Sequence, residues 1–492
     1  MKEKRRGTSR KKREVPEAVH APLETNSQAK AREEKLDSVT RGRLKLYEPG
    51  AQNVQKFLTL FAQRMTRPLA ASLVGCVHCG MCSDTCHYAL ARPHDPTMTP
   101  VYKAEQIRRI FKRKMDWTGR IAPWWVHAGS PESDEDLNRL KNIVFGTCSA
   151  CRRCTLNCPM GVDTAALVRF TRGLLTELGI VPEGIFNVNR DQWETGNQMA
   201  VTEEDYLETL KWVEQDLQAE LGTSDLKIPL EKENCDFMYA INPREIKFDP
   251  RSLFHAAKIF YLAGETWTLP RFGWDQTNFG LFSGDDSLGA YLARNVYEAA
   301  ARLQARRIVI SECGHGYRST RWEGYNWADY EQTLPSESVI ITLLRYIREG
   351  RIRVDTAKNP EPVTFHDSCN IARSGGLTEE PRWVLRRVCS DFREMFPNRT
   401  ENFCCTGGGG LLSMAEYRPL RMEVAKIKAE QLRKTEAKFV CTICHNCVDG
   451  LNDVIKHYKL DMKVVQILEL VEKALDNPRR FDKIEESSRN KT

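Results

Sequence analysis

Cysteine is the residue type that carries the chemistry of this sequence. Two runs repeat one spacing, in which two, two and three residues separate successive cysteines: Cys76, Cys79, Cys82, Cys86 and then Cys148, Cys151, Cys154, Cys158. Gaps of two residues let one loop hold three corners of a [4Fe–4S] cubane, and the fourth cysteine of such a run binds the neighbouring cluster. Structural zinc also uses Cys-x-x-Cys pairs, but it does not explain a fourth cysteine at the same place twice.

The two runs therefore predict a pair of cubane [4Fe–4S] clusters with crossed ligands. The predicted ligands of the first cluster are Cys76, Cys79, Cys82 and Cys158. Those of the second are Cys148, Cys151, Cys154 and Cys86. Such a pair carries electrons one at a time and has no substrate chemistry of its own.

Another group of thiols lies in the carboxyl-terminal part, at Cys369, Cys404, Cys405, Cys441 and Cys444. Cys369 follows a predicted strand and Cys441-x-x-Cys444 ends another, and such strand ends converge at one edge of a parallel sheet. Glycines at 407–410 would let the backbone approach a cluster closely. A phosphate loop is a competing interpretation, although no Lys-Ser or Lys-Thr follows the glycines. Buried inert thiols are the other alternative.

Composition bounds the class of protein. A chain of 492 residues with 41% hydrophobic and 28% charged residues is typical of a globular protein with two or three domains. No apolar run reaches the length needed to cross a bilayer. The basic amino end, 1–13, is followed by no apolar segment and predicts no secretory signal, so we expect a cytoplasmic location. The 17 cysteines of such a protein favour metal ligation over disulfides.

Two kinds of pattern follow each other along the chain. Helical spacing of apolar residues predicts helices at 53–67, 101–115, 164–178 and 202–221. The second of these is strongly basic, which is typical of a solvated face and otherwise of a site for an acidic partner. Polar residues at 222–234 then predict a linker, because short apolar strands begin to alternate with helices beyond it.

That alternation predicts parallel sheets in an α/β region. The predicted strands are 236–241, 307–311, 363–366 and 439–442, and the predicted helices are 288–303, 338–348, 381–392 and 420–434. The string Asn278-Phe279-Gly280-Leu281 can be laid on Asn402-Phe403-Cys404-Cys405. We therefore expect two related halves, of which only the second kept its cysteines.

Several of these strings resemble the CCG domain of heterodisulfide reductases. They are the five carboxyl-terminal thiols, His366-Asp367-Ser368-Cys369-Asn370, 403–412 and Glu312-Cys313-Gly314-His315. The resemblance is nearest to DsrK-type subunits of DsrMKJOP complexes, with HdrD, HmcF and TmcB as relatives, and it covers about residues 54–475. The long separation of the two regular runs is similar to that of α-helical ferredoxins.

The resemblance implies an α-helical ferredoxin domain with two [4Fe–4S] clusters followed by two α/β CCG-type halves. The expected division is a disordered basic tail at 1–45, the ferredoxin domain at 46–180, a helical linker at 181–234, a degenerate CCG half at 235–355, a CCG domain with the noncubane cluster at 356–475, and a charged tail at 476–492.

The resemblance also implies an activity. Cys369, Cys404, Cys405, Cys441 and Cys444 would hold a noncubane [4Fe–4S] cluster that acts on a disulfide or trisulfide in sulfur metabolism. The implied partners are membrane quinone or cytochrome subunits and a small cytoplasmic cysteine-bearing protein like DsrC, with no nucleic acid. The chain would lie on the inner face of the cytoplasmic membrane, held there by its partner subunits.

One position departs from the family pattern, because Thr406 stands where that pattern has glycine. Cys313 and His315 are interpreted as a packed thiol and a hydrogen-bonded imidazole, or as residues on the substrate side. Cys235, Cys389 and Cys447 are interpreted as core or incidental thiols. His366 and His445 adjoin predicted ligands, so they are candidates for proton donation or for hydrogen bonds that tune a cluster.

Two other functions compete with a disulfide-active subunit. One is the iron–sulfur subunit of a glycolate, lactate or glycerol-3-phosphate dehydrogenase, but such subunits usually keep cysteines in both halves. The other is a non-catalytic electron-transfer scaffold whose carboxyl-terminal cysteines bind zinc or nothing. Iron content separates the scaffold from the reductase, since three clusters require about twelve irons.

Overall fold

The computed structural model describes residues 52–328, 330 and 334–476. The predicted basic tail, 1–45, and all but the first residue of the predicted charged tail, 476–492, lie outside these residues. No helix in the described part of the chain is both long and apolar enough to cross a membrane.

The amino-terminal part is built of helices around the two regular cysteine runs. These helices are Gln52–Arg64, Arg67–Gly75, His87–Ala91, Pro100–Met115, Trp117–Ile121, Asp134–Lys141, Arg153–Leu156 and Thr164–Glu177, and a π-helical turn spans Asn142–Gly146. Their starts follow local chemistry: Thr99 caps the helix that Pro100 opens, and Ser133 and Asp136 form a capping box. Apolar faces of these helices meet in one core that includes Phe57, Phe61 and Phe145.

Two helices, Glu183–Thr195 and Glu203–Leu221, connect this part to the first α/β half. That half has four parallel strands, β1 (Phe237–Ala240), β2 (Trp267–Thr268), β3 (Ile308–Ile310) and β4 (Ser336–Ser338), in the order β2-β1-β3-β4. Its helices are Arg244–Lys247, Pro250–Ala263, Gly280–Ser283, Asp286–Arg302, Gly314–Arg318, Gly324–Ala328 and Val339–Arg348, with a π-helical turn at Ser319–Glu323.

The second half repeats the same order in the sheet. Its strands are β5 (Val363–Phe365), β6 (Phe392–Arg393), β7 (Phe439–Thr442) and β8 (Lys463–Gln466), all parallel, in the order β6-β5-β7-β8. Its helices are Glu379–Val388, Arg418–Val424, Lys426–Arg433, His445–Tyr458 and Ile467–Lys473. The predicted fold class, an α-helical dicluster unit followed by two α/β halves, is confirmed.

The three parts share cores rather than standing apart. One apolar core runs through both sheets, from Phe237 and Ile308 to Phe365 and Val471. The helical core likewise takes in Phe282 from the first half and Leu411 and Met414 from the second. The thiols of the second half therefore lie close to the helical part.

Arg172 joins the parts by hydrogen bonds. Its guanidinium is 1% exposed and donates to the carbonyls of Val144 at 2.9 Å, Cys148 at 2.7 Å, Phe282 at 2.9 Å and Gly409 at 2.8 Å. These carbonyls come from the helical part, the first half and the glycine run of the second half. One buried cation thus fixes the junction at which all three meet.

Candidate iron–sulfur site

The first thiol set comprises Cys76, Cys79, Cys82 and Cys158. Cys82 has the other three as electrostatic neighbours, and burial together with Cys76 raises the pKa of its thiol to about 11. The chain turns between these thiols through left-handed residues, His78 at φ 58° and Gly80 at φ 80°. Cys79 is exposed, so this set opens to the surface. The structure therefore groups Cys158 with the first run and not with its own.

The second thiol set comprises Cys86, Cys148, Cys151 and Cys154. These four thiols line one small enclosed cavity together with Lys103. Burial raises the pKa of Cys154, and Cys86, Cys151 and Cys148 add to that rise as neighbouring thiols. The loop that carries three of them turns through Ala150 at φ 51° and Arg152 at φ 63°. An enclosed space bounded by four thiols suits a cluster with four cysteine ligands.

The third thiol set lies in the second half and forms a continuous row. The neighbouring thiols in this row are Cys369 and Cys404, Cys404 and Cys405, Cys405 and Cys447, and Cys447 and Cys444. A ring nitrogen of His366 lies within 4.8 Å of the Sγ atoms of both Cys405 and Cys447. Four buried thiols and the partly buried Cys369 therefore meet here, but they are not the five that the sequence predicted.

Cys441 is the member that the structure does not bring to this group. Neighbouring residues of a strand point to opposite faces, and on β7 Val440 packs with the third thiol set whereas Cys441 enters the core shared by the sheets. Burial raises the pKa of the Cys441 thiol, and its charged or thiol neighbours are Glu312, Cys389 and Glu469. The structure thus places Cys441 apart from the other four predicted ligands.

Cys447, interpreted from the sequence as a core or incidental thiol, lies with the third thiol set in the structure. Cys444 is the N-cap of the helix His445–Tyr458, and Cys447 lies in the first turn of the same helix. The spacing Cys444-x-x-Cys447 was equally visible in the sequence. The signal that separates the two pairs is the strand, because Cys441 lies inside β7 and Cys444 lies beyond its end.

The third thiol set sits where the sheet topology places ligands. In the order β6-β5-β7-β8 the chain direction across the sheet reverses between β5 and β7, and open α/β sheets bind ligands in the crevice beyond that point. Cys369 follows β5, and Cys444 and Cys447 follow β7. Cys404 and Cys405 come from the loop ahead of the glycine run. Three separate segments thus meet at one edge.

Glycines allow the close contacts around these thiols. A Cβ at Gly314 would lie 2.5 Å from the Ser368 hydroxyl and 3.4 Å from the Cys444 Sγ. Gly409 has φ +66°, and a Cβ there would lie 2.7 Å from the Ser149 carbonyl oxygen, in the loop between Cys148 and Cys151. The glycine run therefore brings the second half against the second thiol set as well as against its own cysteines.

Thr406, the departure from the family pattern, adopts φ 71°. This left-handed conformation is one that glycine adopts freely and that costs other residues energy. Its backbone N–H donates to the Cys404 Sγ at 3.3 Å, while its side-chain hydroxyl is buried without a hydrogen-bond partner among the described residues. The threonine is thus accommodated under strain beside the thiols.

A buried lysine, Lys428, lies close to the third thiol set. Lys428 is 1% exposed, and its Nζ donates to the Asn402 side-chain oxygen at 2.8 Å. The Asn402 amide lies 3.2 Å from His366 Nδ1. Burial lowers the pKa of Lys428 to about 7, against the opposing pull of Cys405 and Cys404. An ammonium in this position favours negative charge on the thiols.

The two candidate histidines have different surroundings. His366 lies with the third thiol set, and burial lowers its pKa well below the usual value, so its ring is neutral. The His445 ring is instead held by Glu245, 3.2 Å from Nε2, and by Gln466, 3.3 Å from Nδ1. Only His366 is therefore placed to exchange a proton with this thiol set.

The first half contains a cysteine, Cys313, that corresponds in position to Cys444 of the third thiol set. Cys313 is the N-cap of Gly314–Arg318, as Cys444 is of its own helix, and the two thiols are electrostatic neighbours. Cys313 Sγ lies 3.4 Å from His315 Nδ1, and burial lowers the pKa of His315 to about 3. The described residues group no further thiols with Cys313. Cys313 and His315 thus line the third site from across the two halves.

The second and third thiol sets adjoin each other. Cys151 packs into the same apolar cluster as Cys404, Cys405, Cys444 and Cys447. It is an electrostatic neighbour of both Cys404 and Cys369. Arg373 ties the segments together, because its guanidinium donates to the carbonyls of Cys151 and Asn402, each at 2.6 Å.

The donor sets fit iron–sulfur clusters. Buried thiols so close together cannot all ionise unless a polycation neutralises them, and deprotonated cysteine is the ligand of such clusters. The enclosed cavity of the second thiol set and the glycine contacts of the third provide space and close backbone approach. Mere core packing does not require thiols to be concentrated in this way.

Comparison with known proteins agrees with this arrangement. Residues 72–162 match the 4Fe-4S dicluster domain, and residues 363–452 match the cysteine-rich domain. The chain is 28% identical over 449 residues to the Hdr-like menaquinol oxidoreductase iron-sulfur subunit 2 of Archaeoglobus fulgidus, which covers 81% of this chain and 79% of that protein.

Two further relatives cover most of the chain. A subunit of the dihydromethanophenazine:CoB–CoM heterodisulfide reductase of Methanosarcina mazei is 26% identical over 428 residues, which is 86% of this chain and 98% of that protein. The probable iron-sulfur-binding oxidoreductase FadF of Bacillus subtilis is 23% identical over 439 residues, 81% of this chain and 59% of that protein.

The two matched domains, the three thiol sets and these relatives support an iron–sulfur electron-transfer subunit similar to those of heterodisulfide reductase-like oxidoreductases. The similarity is to HdrD/DsrK-like iron–sulfur subunits, as the sequence strings predicted. It binds [4Fe–4S] clusters.

Proposed function

We propose that the chain takes electrons from membrane partner subunits and delivers them to a noncubane [4Fe–4S] site that cleaves a disulfide or trisulfide of a small DsrC-like protein. The first and second thiol sets would each hold a cubane. The proposed ligands of the noncubane cluster are Cys369, Cys404, Cys405, Cys444 and Cys447. When bound, these clusters supply one-electron steps and an iron that can hold a substrate sulfur.

The observation that carries this proposal is the proximity of Cys151 to Cys404 and Cys369 at the edge of the third thiol set. Cys82 of the first thiol set is likewise a neighbour of Cys154 in the second. The three sets therefore form one line from the exposed Cys79 to the buried third set. A line of redox sites that ends at a buried, sulfur-rich pocket suits delivery of electrons to a substrate disulfide.

The chain's own residues support cleavage of a sulfur–sulfur bond. Two electrons and two protons convert a disulfide to two thiols, so a proton must reach each leaving sulfur. His366, neutral and beside Cys405 and Cys447, can hold or pass such a proton at a ring nitrogen. The Lys428 ammonium stabilises the negative charge that reduction adds. Tight burial excludes water from the reaction.

The relatives support the proposed setting. The Archaeoglobus protein is named as a menaquinol oxidoreductase subunit, and the Methanosarcina protein as a heterodisulfide reductase subunit. We extend this setting to the present chain as a peripheral subunit on the cytoplasmic face of the membrane. Partner subunits would provide the spanning segments and the quinone or cytochrome site.

Metal analysis with a matched pair of variants tests the proposed ligands. Anaerobic wild-type protein is expected to contain about twelve irons and to give an S = 1/2 EPR signal after thiol oxidation. Cys447→Ala should lose that signal and about four irons. Cys441→Ala, also a buried cysteine of the same segment, should keep both.

A substrate assay tests the activity separately. Reduced wild-type protein should convert the disulfide of a DsrC-like protein to thiols, counted with a thiol reagent, and Cys447→Ala should not. About eight irons without the oxidised signal in the wild type would leave an electron carrier and refute the noncubane site. Twelve irons with no thiol formation would mean that the noncubane cluster is present but that the DsrC-like disulfide is not its substrate.

A further inference from the structure

An exposed apolar patch lies outside the thiol sets, between the two cysteine runs. Trp117, Ile121, Trp124 and Trp125 are 71%, 70%, 78% and 76% exposed, and we call these four residues the tryptophan patch. A tryptophan side chain offers roughly 150–250 Å², so three of them at about three-quarters exposure leave roughly 350–550 Å² of aromatic surface. A patch of this size matches the largest apolar patch of a typical monomer, and such patches are often functional.

The tryptophan patch is held in place by the backbone beneath it. Trp117 and Ile121 lie one turn apart on the same helix face, and the Trp125 N–H donates to the Ala122 carbonyl at 3.1 Å. Gly119 brings this helix so close to the helix Pro100–Met115 that a Cβ would lie 2.2 Å from the Lys112 carbonyl oxygen. The aromatic groups are therefore presented by a packed helical hairpin.

Basic residues surround the tryptophan patch. Between 112 and 125 the cations are Lys112, Arg113, Lys114 and Arg120, and the only acid is Asp116, which gives 4 − 1 = +3. Asp116 is also engaged as a helix cap, since it accepts the Thr118 N–H at 2.9 Å. The surface therefore combines apolar aromatic groups with uncompensated positive charge.

This combination fits a lipid surface better than a protein surface. Tryptophan prefers the headgroup level of bilayers, and basic residues beside it are attracted to anionic lipids. The interfaces between proteins also use tryptophan and arginine but are depleted of lysine. Here Lys114 lies three residues before Trp117, and Lys112 Nζ donates to the carbonyl of Val126, next to Trp125, at 2.9 Å.

The tryptophan patch also lies at the end of the molecule that carries the first thiol set. Along the helix Pro100–Met115, Lys103 lines the cavity of the second thiol set, and Arg108 donates to the Cys76 carbonyl at 3.0 Å. The helix continues for seven residues beyond Arg108, roughly 10 Å at 1.5 Å per residue, and then turns into the patch. A surface touching the patch would lie close to the exposed end of the line of thiols.

We propose that the tryptophan patch inserts into the headgroup region of an anionic bilayer and so seats the first thiol set at the membrane. The inference rests on the peripheral membrane location given in the proposed function and adds direct contact with lipid. Partner subunits then need not supply all of the attachment.

Flotation of the full holoprotein with protein-free vesicles tests this. Vesicles of phosphatidylcholine with phosphatidylglycerol are compared with vesicles of phosphatidylcholine alone. Wild-type protein should float with the anionic vesicles, and a variant with serine at all four patch positions should bind at least about tenfold more weakly. The control changes two exposed aromatic residues elsewhere, Phe248→Ser with Phe396→Ser, and should bind like wild type.

Each remaining outcome overturns the proposal. Wild-type protein that stays with the unbound fraction excludes lipid contact, and binding only to vesicles that contain a membrane protein assigns the patch to that protein. Equal binding by the patch variant assigns the attraction to another basic segment, such as residues 1–13. The iron content and EPR signals of the patch variant should match wild type, which verifies its fold. Loss of lipid binding and loss of the redox site are thus separate results.

Discussion

Lys428 should control the reduction potential of the third site. Its ammonium is buried, donates to Asn402, and has no carboxylate within 4.0 Å in the described part of the chain. Two hydrogen-bond steps and one imidazole separate it from the thiols, which is on the order of 8 Å at about 3 Å per hydrogen bond. At an effective dielectric constant of about 20, a unit charge at that distance contributes about 2 kcal/mol. Because burial lowers the pKa of Lys428 to about 7, the full contribution is expected only below pH 7.

Lys428→Met removes this charge and makes the site harder to reduce. Since about 1.4 kcal/mol corresponds to about 59 mV for one electron, the potential should fall by roughly 90 mV. An anaerobic redox titration followed by EPR measures the shift, and iron content verifies that the cluster is retained. Lys426→Met on the same helix is the matched control, because Lys426 is exposed.

Three results would refute this reasoning. The potential of Lys428→Met would stay within about 20 mV of wild type, or it would rise, although the charge calculation requires a clear fall. Alternatively, Lys426→Met would show an equal shift, which would assign the effect to general surface charge. Lys428→Arg should restore most of the potential if its larger side chain is accommodated.

Other positions give independent predictions. Arg172→Met leaves four carbonyls without their hydrogen-bond donor and should lower the free energy of unfolding by about 3–5 kcal/mol. The exposed Arg139→Met should leave the free energy of unfolding unchanged. A loss below about 1 kcal/mol in Arg172→Met would contradict the role of the junction. Thr406→Gly should raise stability by about 1 kcal/mol in anaerobic denaturant unfolding, because it relieves a left-handed threonine, and destabilisation would contradict the strain. Gly409→Ala should slow electron transfer to the third site in stopped-flow kinetics while iron content is retained, because its Cβ displaces the Ser149 loop; an unchanged rate would contradict that contact.

The sequence predicted four of the eight strands and several long helices, but not the helices Pro250–Ala263 and His445–Tyr458. The ends of helices such as Pro100–Met115 and Thr164–Glu177 were predicted to within a residue or two. Each has a long series of apolar residues at helical spacing, flanked by residues that favour helix ends. β2 and β6 have two residues each, which is too short to show the alternation of apolar and polar residues that identifies a strand. The relation between the two halves was nevertheless predicted from the strings that begin at Asn278 and Asn402.

The thiols show where such reasoning fails. Both Cys441-x-x-Cys444 and Cys444-x-x-Cys447 have the spacing of a ligand pair, so spacing could not choose between them. The choice depends on which residue lies inside β7, where side chains alternate between faces, and on which begins the next helix. The role of Lys428 was equally hidden, since no spacing in the sequence indicates that its side chain lies near the thiols and donates to Asn402.

The junction at Arg172 has a consequence for biogenesis. The third thiol set is assembled from segments at Cys369, Cys404–Cys405 and Cys444–Cys447, and the Gly409 loop that covers it is bound by Arg172 to the helical part. The third site is thus complete only when these segments have folded together and the helical part has closed against the Gly409 loop. Formation of the third site is therefore coupled to docking of the second half on the ferredoxin unit.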